Sequence, residues 1–116
     1  MKSIIILAPD GHVIVAPIRN GITLKMLQDL VGGYIETVPA QPPGTVLIVN
    51  EEGKLRGMAY NARATNISRL YGDNIVGIAV MCRAEGEELL PFDQKEAFAL
   101  LHEHYDLKPN EVVVMK

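Results

Sequence analysis

The chain is poor in the residues that build covalent, metal and membrane structures. It has one cysteine, Cys82, so no disulfide can form within it. Its three histidines, His12, His102 and His104, lie in two distant regions, a spacing that is not typical of a zinc site. The apolar run at residues 3–8 is too short for a secretory signal or a membrane span. These absences predict a cytoplasmic protein with no metal, no cofactor and no membrane partner.

Positive charge is also scarce. The sequence has 11 Lys and Arg against 14 Asp and Glu, a formal net charge of -3 at pH 7. Nonspecific binding to nucleic acid needs clustered Lys and Arg, and here the basic residues are scattered. No GxGxxG or Walker pattern occurs, and Gly32 and Gly33 follow a predicted helix, whereas phosphate-binding loops precede one. We therefore expect no nucleic acid partner.

The patterns that are present predict a single α+β domain over residues 1–116. The length and the 48% hydrophobic content suit one buried core. Hydrophobic periodicity and turn residues predict a hairpin at 3–18, a helix at 24–31, strands at 34–38 and 45–49, a return strand at 54–57 closing a second hairpin, a helix at 61–70, a central strand at 74–82 and a helix at 92–105. Residues 109–116 are either a terminal strand or a tail. We expect a mainly antiparallel sheet of five to six strands, with two or three helices packed mainly on one face.

Polar side chains without an obvious packing role concentrate between residues 34 and 65. They are Tyr34, Glu36, Asn50, Arg56, Asn61, Arg63 and Thr65. If Asn61 caps a helix, Arg63 lies in the first turn, an arrangement that suits a phosphate or a carboxylate. The alternative is a structural role, in which Asn61 and Thr65 bond to local backbone, Arg63 pairs with a surface carboxylate and Glu36 is solvated. We predict the seven residues as the ligand contacts, with the structural alternative open.

No reaction can be assigned from the motifs. Ser3 and Ser68 lack the surroundings of a nucleophile, and no nucleophile and base are recognisable together, so no residue is predicted as catalytic. The carboxylates that could serve as a general base in a small hydrolase-like enzyme are Glu36 and Glu51. An enzyme is therefore an alternative and not the preferred interpretation.

Two segments carry a resemblance to a known family. LQDLVGGYIETV and VLIVNEEGKLRGMAYNARAT, followed by the strand DNIVGIAV, resemble small uncharacterised proteins of bacteriophages, prophages and mobile elements. The resemblance covers residues 24–84, and its marks are an LQxLVGGYIE helix-to-strand motif and an NEEGK turn. That family is a domain of unknown function, so the resemblance brings no catalytic residues. It implies an origin, with the bacterial or infected-host cytoplasm as the compartment.

The preferred hypothesis is a non-catalytic binding module. Its partner is a host protein or a small anionic, nucleotide-like ligand, for example in counter-defence or host takeover. The alternatives are the hydrolase-like enzyme and a structural or assembly subunit. A homo-oligomer is compatible with each of these.

Overall fold

Within the described residues, eight strands make up a sheet that three helices cover. The computed structural model describes residues 1–70 and 73–115. The strands are β1 (Lys2–Leu7), β2 (Val13–Ile18), β3 (Ile35–Pro39), β4 (Thr45–Asn50), β5 (Ala79–Glu85), β6 (Glu88–Leu90), β7 (Phe92–Asp93) and β8 (Val112–Val114). The helices are α1 (Leu24–Val31), α2 (Ala62–Ile67) and α3 (Gln94–Ala99), and α3 continues as a π-helical turn, Leu100–His104.

The strands form one mixed sheet in the order β3-β4-β5-β1-β2-β8, with β6 paired to β5 and β7 paired to β1. All pairs are antiparallel except β2 with β8. The α+β class and the mainly antiparallel sheet are confirmed. The predicted five to six strands were too few, since the sheet has eight in the part of the chain that the structure describes. The additional strands β6 and β7 have three and two residues, too short for a two-residue period to show in the sequence.

Helices cover both faces of the sheet. On one face, α1 places Leu27 against Ile4 and Ile48. On the other face, α2 and α3 pack against a second layer that includes Leu7 and Met81. Two of the three helices thus share one face, as predicted, and α1 covers the other. The central strands are buried at successive positions, so each of their faces needs a covering layer.

Local signals set the helix ends. The Thr23 side chain accepts a hydrogen bond from the Met26 amide at the start of α1, and Gly32 ends that helix in the left-handed conformation, with φ 85°. At α3, Asp93 and Glu96 form a reciprocal capping box. Within residues 1–70 and 73–115, no helix has the length and apolar character needed to cross a membrane.

The first predicted hairpin is confirmed, and the structure has strands near the predicted central and C-terminal positions. β1 and β2 pair from Lys2↔Ile18 to Leu7↔Val13. β5 lies inside the sheet, although it begins at Ala79, later than the predicted 74. Val112–Val114 forms the terminal strand rather than a tail, and Lys116 lies outside the described residues.

The second predicted hairpin is wrong. Residues 54–57 are not a return strand, because 51–57 coil into consecutive turns in which the Arg56 amide bonds Glu52 O at 2.9 Å and the Met58 amide bonds Gly53 O at 3.0 Å. Both edges of β4 are already occupied, by β3 and β5. A strand at 54–57 would therefore have had no place beside β4.

Candidate functional site

The structure divides the seven predicted ligand residues into two groups. Tyr34, Glu36, Asn50 and Arg56 lie around the end of α1 and the turn after β4. Asn61, Arg63 and Thr65 lie in and before α2, where the chain passes β1 and the segment leading into β5. The structure therefore does not join all seven in one site.

Asn50 and Arg56 hold the end of α1. Asn50 is 5% exposed, and its Nδ2 donates to Val31 O at 3.2 Å while its Oδ1 accepts from the Glu52 amide at 2.8 Å. Arg56 Nη1 donates to Gly32 O at 2.7 Å. These donors satisfy carbonyls that a helix leaves unpaired at its C-terminus. Their observed contacts are thus structural.

Gly33 is packed against this pair of donors. An added Cβ would lie 2.9 Å from Asn50 Nδ2 and 3.2 Å from Arg56 Nη1. We expect Gly33→Ala to lower the free energy of unfolding by about 1 to 3 kcal/mol, measured by chemical denaturation, because both donors must shift from their carbonyls. Asn50→Ala removes the nearer contact, so Gly33→Ala should cost less in that background. An equal cost in both backgrounds would contradict the clash.

Tyr34 and Glu36 are both exposed and line different concave surfaces. Tyr34 borders a shallow groove with Gly32, Gly33 and Glu52. Glu36 is paired with Val49 in the sheet and lines a separate cavity, on the face that α2 covers. The structure therefore leaves these two side chains accessible without combining them in one pocket.

Asn61 and Thr65 are structural. Asn61 is fully buried, and its Nδ2 donates to Leu7 O and to Gly77 O, each at 2.9 Å. Its Oδ1 caps α2 by accepting from the Ala64 amide at 3.1 Å. Thr65 Oγ1 donates to Asn61 O at 2.8 Å and accepts from the Ile75 amide at 2.9 Å. The predicted cap is confirmed, and neither residue lines a described cavity.

Arg63 lies at a cavity of about 230 Å³, which we call the Arg63 cavity. Its lining residues are Leu7, Gln41, Arg63, Asn66, Ile67, His104, Tyr105 and Leu107. Four other concave surfaces on the described residues each include at least one glutamate. The Arg63 cavity has no carboxylate in its lining, although the protein as a whole is acidic.

The Arg63 guanidinium is held from two sides. Its Nε donates to Gly11 O at 3.2 Å, and its Nη2 lies 3.3 Å from Glu111 Oε2. The pKa of Glu111 is below its usual range because the Lys108 amide, and then Arg63, donate hydrogen bonds to its carboxylate. A guanidinium has about five N–H donors, so these two contacts leave others for a ligand.

The opposite wall comes from the π-helical turn. The Tyr105 amide bonds Leu100 O at 3.1 Å, a five-residue step that ends the turn next to the cavity. The Tyr105 hydroxyl donates to Gln41 O, and burial raises the pKa of this phenol well above its usual range. The His104 ring packs edge-on against Tyr105, with 5.1 Å between ring centroids. The hydroxyl is therefore a fixed, neutral part of the wall.

Sequence reasoning found Arg63 but missed the rest of this cavity. Gln41, His104 and Tyr105 are far from Arg63 in the chain, and no local pattern links them. The sequence signal for this site was Asn61 as a helix cap, because the cap sets the start of α2 and so the position of Arg63 in its first turn. It gave no information about the residues that pack opposite.

The carboxylates proposed for the enzyme alternative lie together but are exposed. Glu36 and Glu51 line the same cavity of about 250 Å³, with Lys54 and Asp73 paired at its rim. A carboxylate that acts as a general base is usually desolvated. Glu36 and Glu51 are exposed to solvent, so this cavity does not desolvate them. Among residues 1–70 and 73–115, no three His, Cys, Asp or Glu side chains are grouped so that they could hold a metal ion.

Comparison with protein families gives one assignment. A domain of unknown function, DUF3846, matches residues 1–103. The chain belongs to this family. The match extends beyond the resemblance at 24–84, from β1 to the π-helical turn, so the family covers both helix layers of the fold. No curated protein and no solved structure matches the chain.

Proposed function

We propose that this domain is a non-catalytic binding module for a small anionic ligand. The Arg63 cavity carries this proposal, because it combines a guanidinium with an apolar floor of Leu7, Ile67 and Leu107 and has no carboxylate in its lining. Glu111 pairs with Arg63 from outside this lining, so an anion would bind the guanidinium donors that this pair leaves open. Asn66 adds a side-chain amide to the wall, and such an amide can orient a polar ligand.

The cavity size limits the ligand class. About 230 Å³ is below the roughly 300–1,000 Å³ of drug-sized ligand sites, so the cavity suits part of a ligand rather than a whole dinucleotide. A phosphate group can be held by Arg63, with an attached ring at the open side near His104. A nucleotide-like molecule has this combination of groups.

The cellular role that we propose follows from the resemblance to phage and mobile-element proteins. A module of this kind would act in the bacterial or infected-host cytoplasm, in counter-defence or host takeover, by intercepting a nucleotide-derived signal. A host protein is the alternative partner. A hydrolase-like enzyme using Glu36 or Glu51 is less well supported, since both carboxylates are exposed. An assembly subunit or a homo-oligomer is also compatible with the fold.

Thermal-shift measurements with inorganic phosphate, AMP and a cyclic dinucleotide test the anion site, with adenosine as the uncharged comparison. A ligand at 100 times its Kd should stabilise the fold by about 2.7 kcal/mol, a rise in Tm of several degrees. Adenosine should give a smaller shift than AMP. Arg63→Gln should weaken AMP binding by about tenfold or more, since a hydrogen bond to a charged group contributes about 1.5 to 3 kcal/mol.

The matched control is Arg69→Gln, an exposed arginine that does not line this cavity. It should bind the same probe as the wild type. No stabilisation by any of the three anions at millimolar concentration would overturn the proposal. Equal binding by the wild type and Arg63→Gln would also overturn it.

A further inference from the structure

The outer edge of β3 has backbone groups that make no pair within the described residues. The Glu51 amide donates to Tyr34 O and the Ala40 amide donates to Thr45 O, so even-numbered residues of this segment face β4. Ile35 and Thr37 consequently direct their N–H and C=O groups outward. β3 is the last strand on this side of the sheet, and no strand in residues 1–70 and 73–115 pairs with it beyond β4.

The described part of the chain covers one end of this edge. The Arg69 amide donates to Pro39 O at 2.9 Å, and the Gln41 amide donates to Ile67 O at 3.0 Å. The chain after α2 therefore occupies the edge near Pro39, which confirms that odd-numbered residues face outward. Among residues 1–70 and 73–115, no backbone group pairs with those of Ile35 and Thr37, a length that accepts a short added strand.

The cavity of about 250 Å³ that Glu36 and Glu51 line, which we call the acidic cavity, lies beside this edge. Three of its lining residues are the carboxylates Glu36, Glu51 and Asp73, and its floor includes Val49 and Ile75. Asp73 is paired with Lys54, whereas Glu36 and Glu51 make no ion pair within the described part of the chain. The cavity therefore has an excess of negative charge.

Leu55 makes the rim of this cavity apolar. Its side chain is 89% exposed, unusual for a leucine, and it lines the same cavity as Glu36. A long basic side chain has an apolar stem and a charged head. Such a side chain can pack its stem on Leu55 while its head reaches Glu36 and Glu51.

We propose that the β3 edge, together with the acidic cavity, binds an extended basic segment of a partner protein by strand addition. In an antiparallel arrangement, Ile35 and Thr37 exchange backbone hydrogen bonds with the incoming strand. The incoming residue opposite Glu36 then projects to the same face as Glu36, toward the cavity. Backbone bonds supply affinity, and a Lys or Arg at this position supplies specificity.

The charge on the edge argues for a basic partner rather than a second copy of this chain. Two β3 edges paired antiparallel about Glu36 would place like charges opposite each other, which is destabilising. The acidic cavity shares no lining residue with the Arg63 cavity. Strand addition is therefore a second binding activity, independent of the anion site, and failure of one leaves the other intact.

Fluorescence anisotropy with a labelled, acetylated Val-Lys-Val-Lys-Val-Lys-Val-Lys peptide tests this site. We expect micromolar binding that weakens with salt, and about tenfold loss in Glu36→Gln because a charge-assisted contact is removed. Glu87→Gln, at an exposed turn outside the cavity, should bind like the wild type. A peptide of alternating Pro and Lys keeps the charge but lacks donors at alternate positions, so it should bind at least about tenfold more weakly.

Amide hydrogen exchange identifies the bound edge. The amides of Ile35 and Thr37 should become protected when the Val-Lys peptide binds, while those of β8 stay unchanged. Absent binding at millimolar peptide would overturn the proposal. Equal affinity for the Pro-Lys peptide, or peptide binding that Glu36→Gln leaves unchanged, would overturn it as well.

Discussion

Asn61→Ala is expected to lower the free energy of unfolding by about 2 to 4 kcal/mol, from the loss of one helix cap and two buried hydrogen bonds. The Asn61 side chain is fully buried and joins α2 to β1, through Leu7 O, and to the segment before β5, through Gly77 O. A typical domain has a stability of only about 5 to 15 kcal/mol, so this one change should shift the denaturation midpoint clearly.

Asn66→Ala is the matched control for this experiment. Asn66 lies in the same helix, but its side chain is exposed. Urea denaturation followed by circular dichroism should show a large fall in midpoint for Asn61→Ala and a change of about 0.5 kcal/mol or less for Asn66→Ala. Similar midpoints for the two variants would contradict the assigned role of Asn61.

The Cys82 thiol is expected to react at least about a thousandfold more slowly in the native protein than in denaturant. Cys82 is fully buried in β5, and burial raises the pKa of its thiol from 9.0 to about 12. The reactive species is the thiolate, and each pKa unit reduces its population about tenfold at neutral pH. Labelling with a chromogenic disulfide at pH 8, with and without urea, measures the ratio.

A control for this labelling is Thr37→Cys in a Cys82→Ala background, because Thr37 is exposed on β3. This thiol should react at a rate close to that of the unfolded chain. Rapid labelling of Cys82 in the native wild type would show that β5 is accessible and would contradict its central position.

The same thiol makes stability fall at alkaline pH. Its folded-state pKa is raised, so its contribution to the free energy of unfolding is fully present below about pH 9 and is lost as pH rises toward 12. The slope for one proton is at most about 1.4 kcal/mol per pH unit. Cys82→Ala should reduce this decline, and the raised pKa of Tyr105 adds a further decline in the same direction.

Predictions from the sequence succeeded where the signal and the structure are both local. The cap predicted at Asn61 is observed, and Thr23 and Asp93 cap the other two helices, because a cap depends on residues within one helical turn. The turn after β4 shows the limit. Its Asn-Glu-Glu-Gly sequence is compatible with a hairpin, but β3 and β5 occupy both edges of β4, and that depends on pairings distant in sequence.

The candidate sites show the same division. Polar character identified Arg63 and Glu36, and both line cavities. The same criterion selected Asn50, Asn61 and Thr65, whose hydrogen bonds are structural. A polar side chain that binds a ligand and one that hydrogen-bonds to buried backbone look the same in the sequence. The burial of each side chain must therefore be known before the two roles can be distinguished.

The sequence by itself determined the class of the fold, the starts of the helices and the first hairpin, because hydrophobic period, caps and turns act over a few residues. Tertiary structure alone decided which polar groups are satisfied, which strand edge is open and which residues surround Arg63. The contact between Tyr105 and Gln41 spans 64 residues, and no local pattern encodes it. Chain packing therefore made the Arg63 cavity and the open β3 edge, the two surfaces on which our proposals depend.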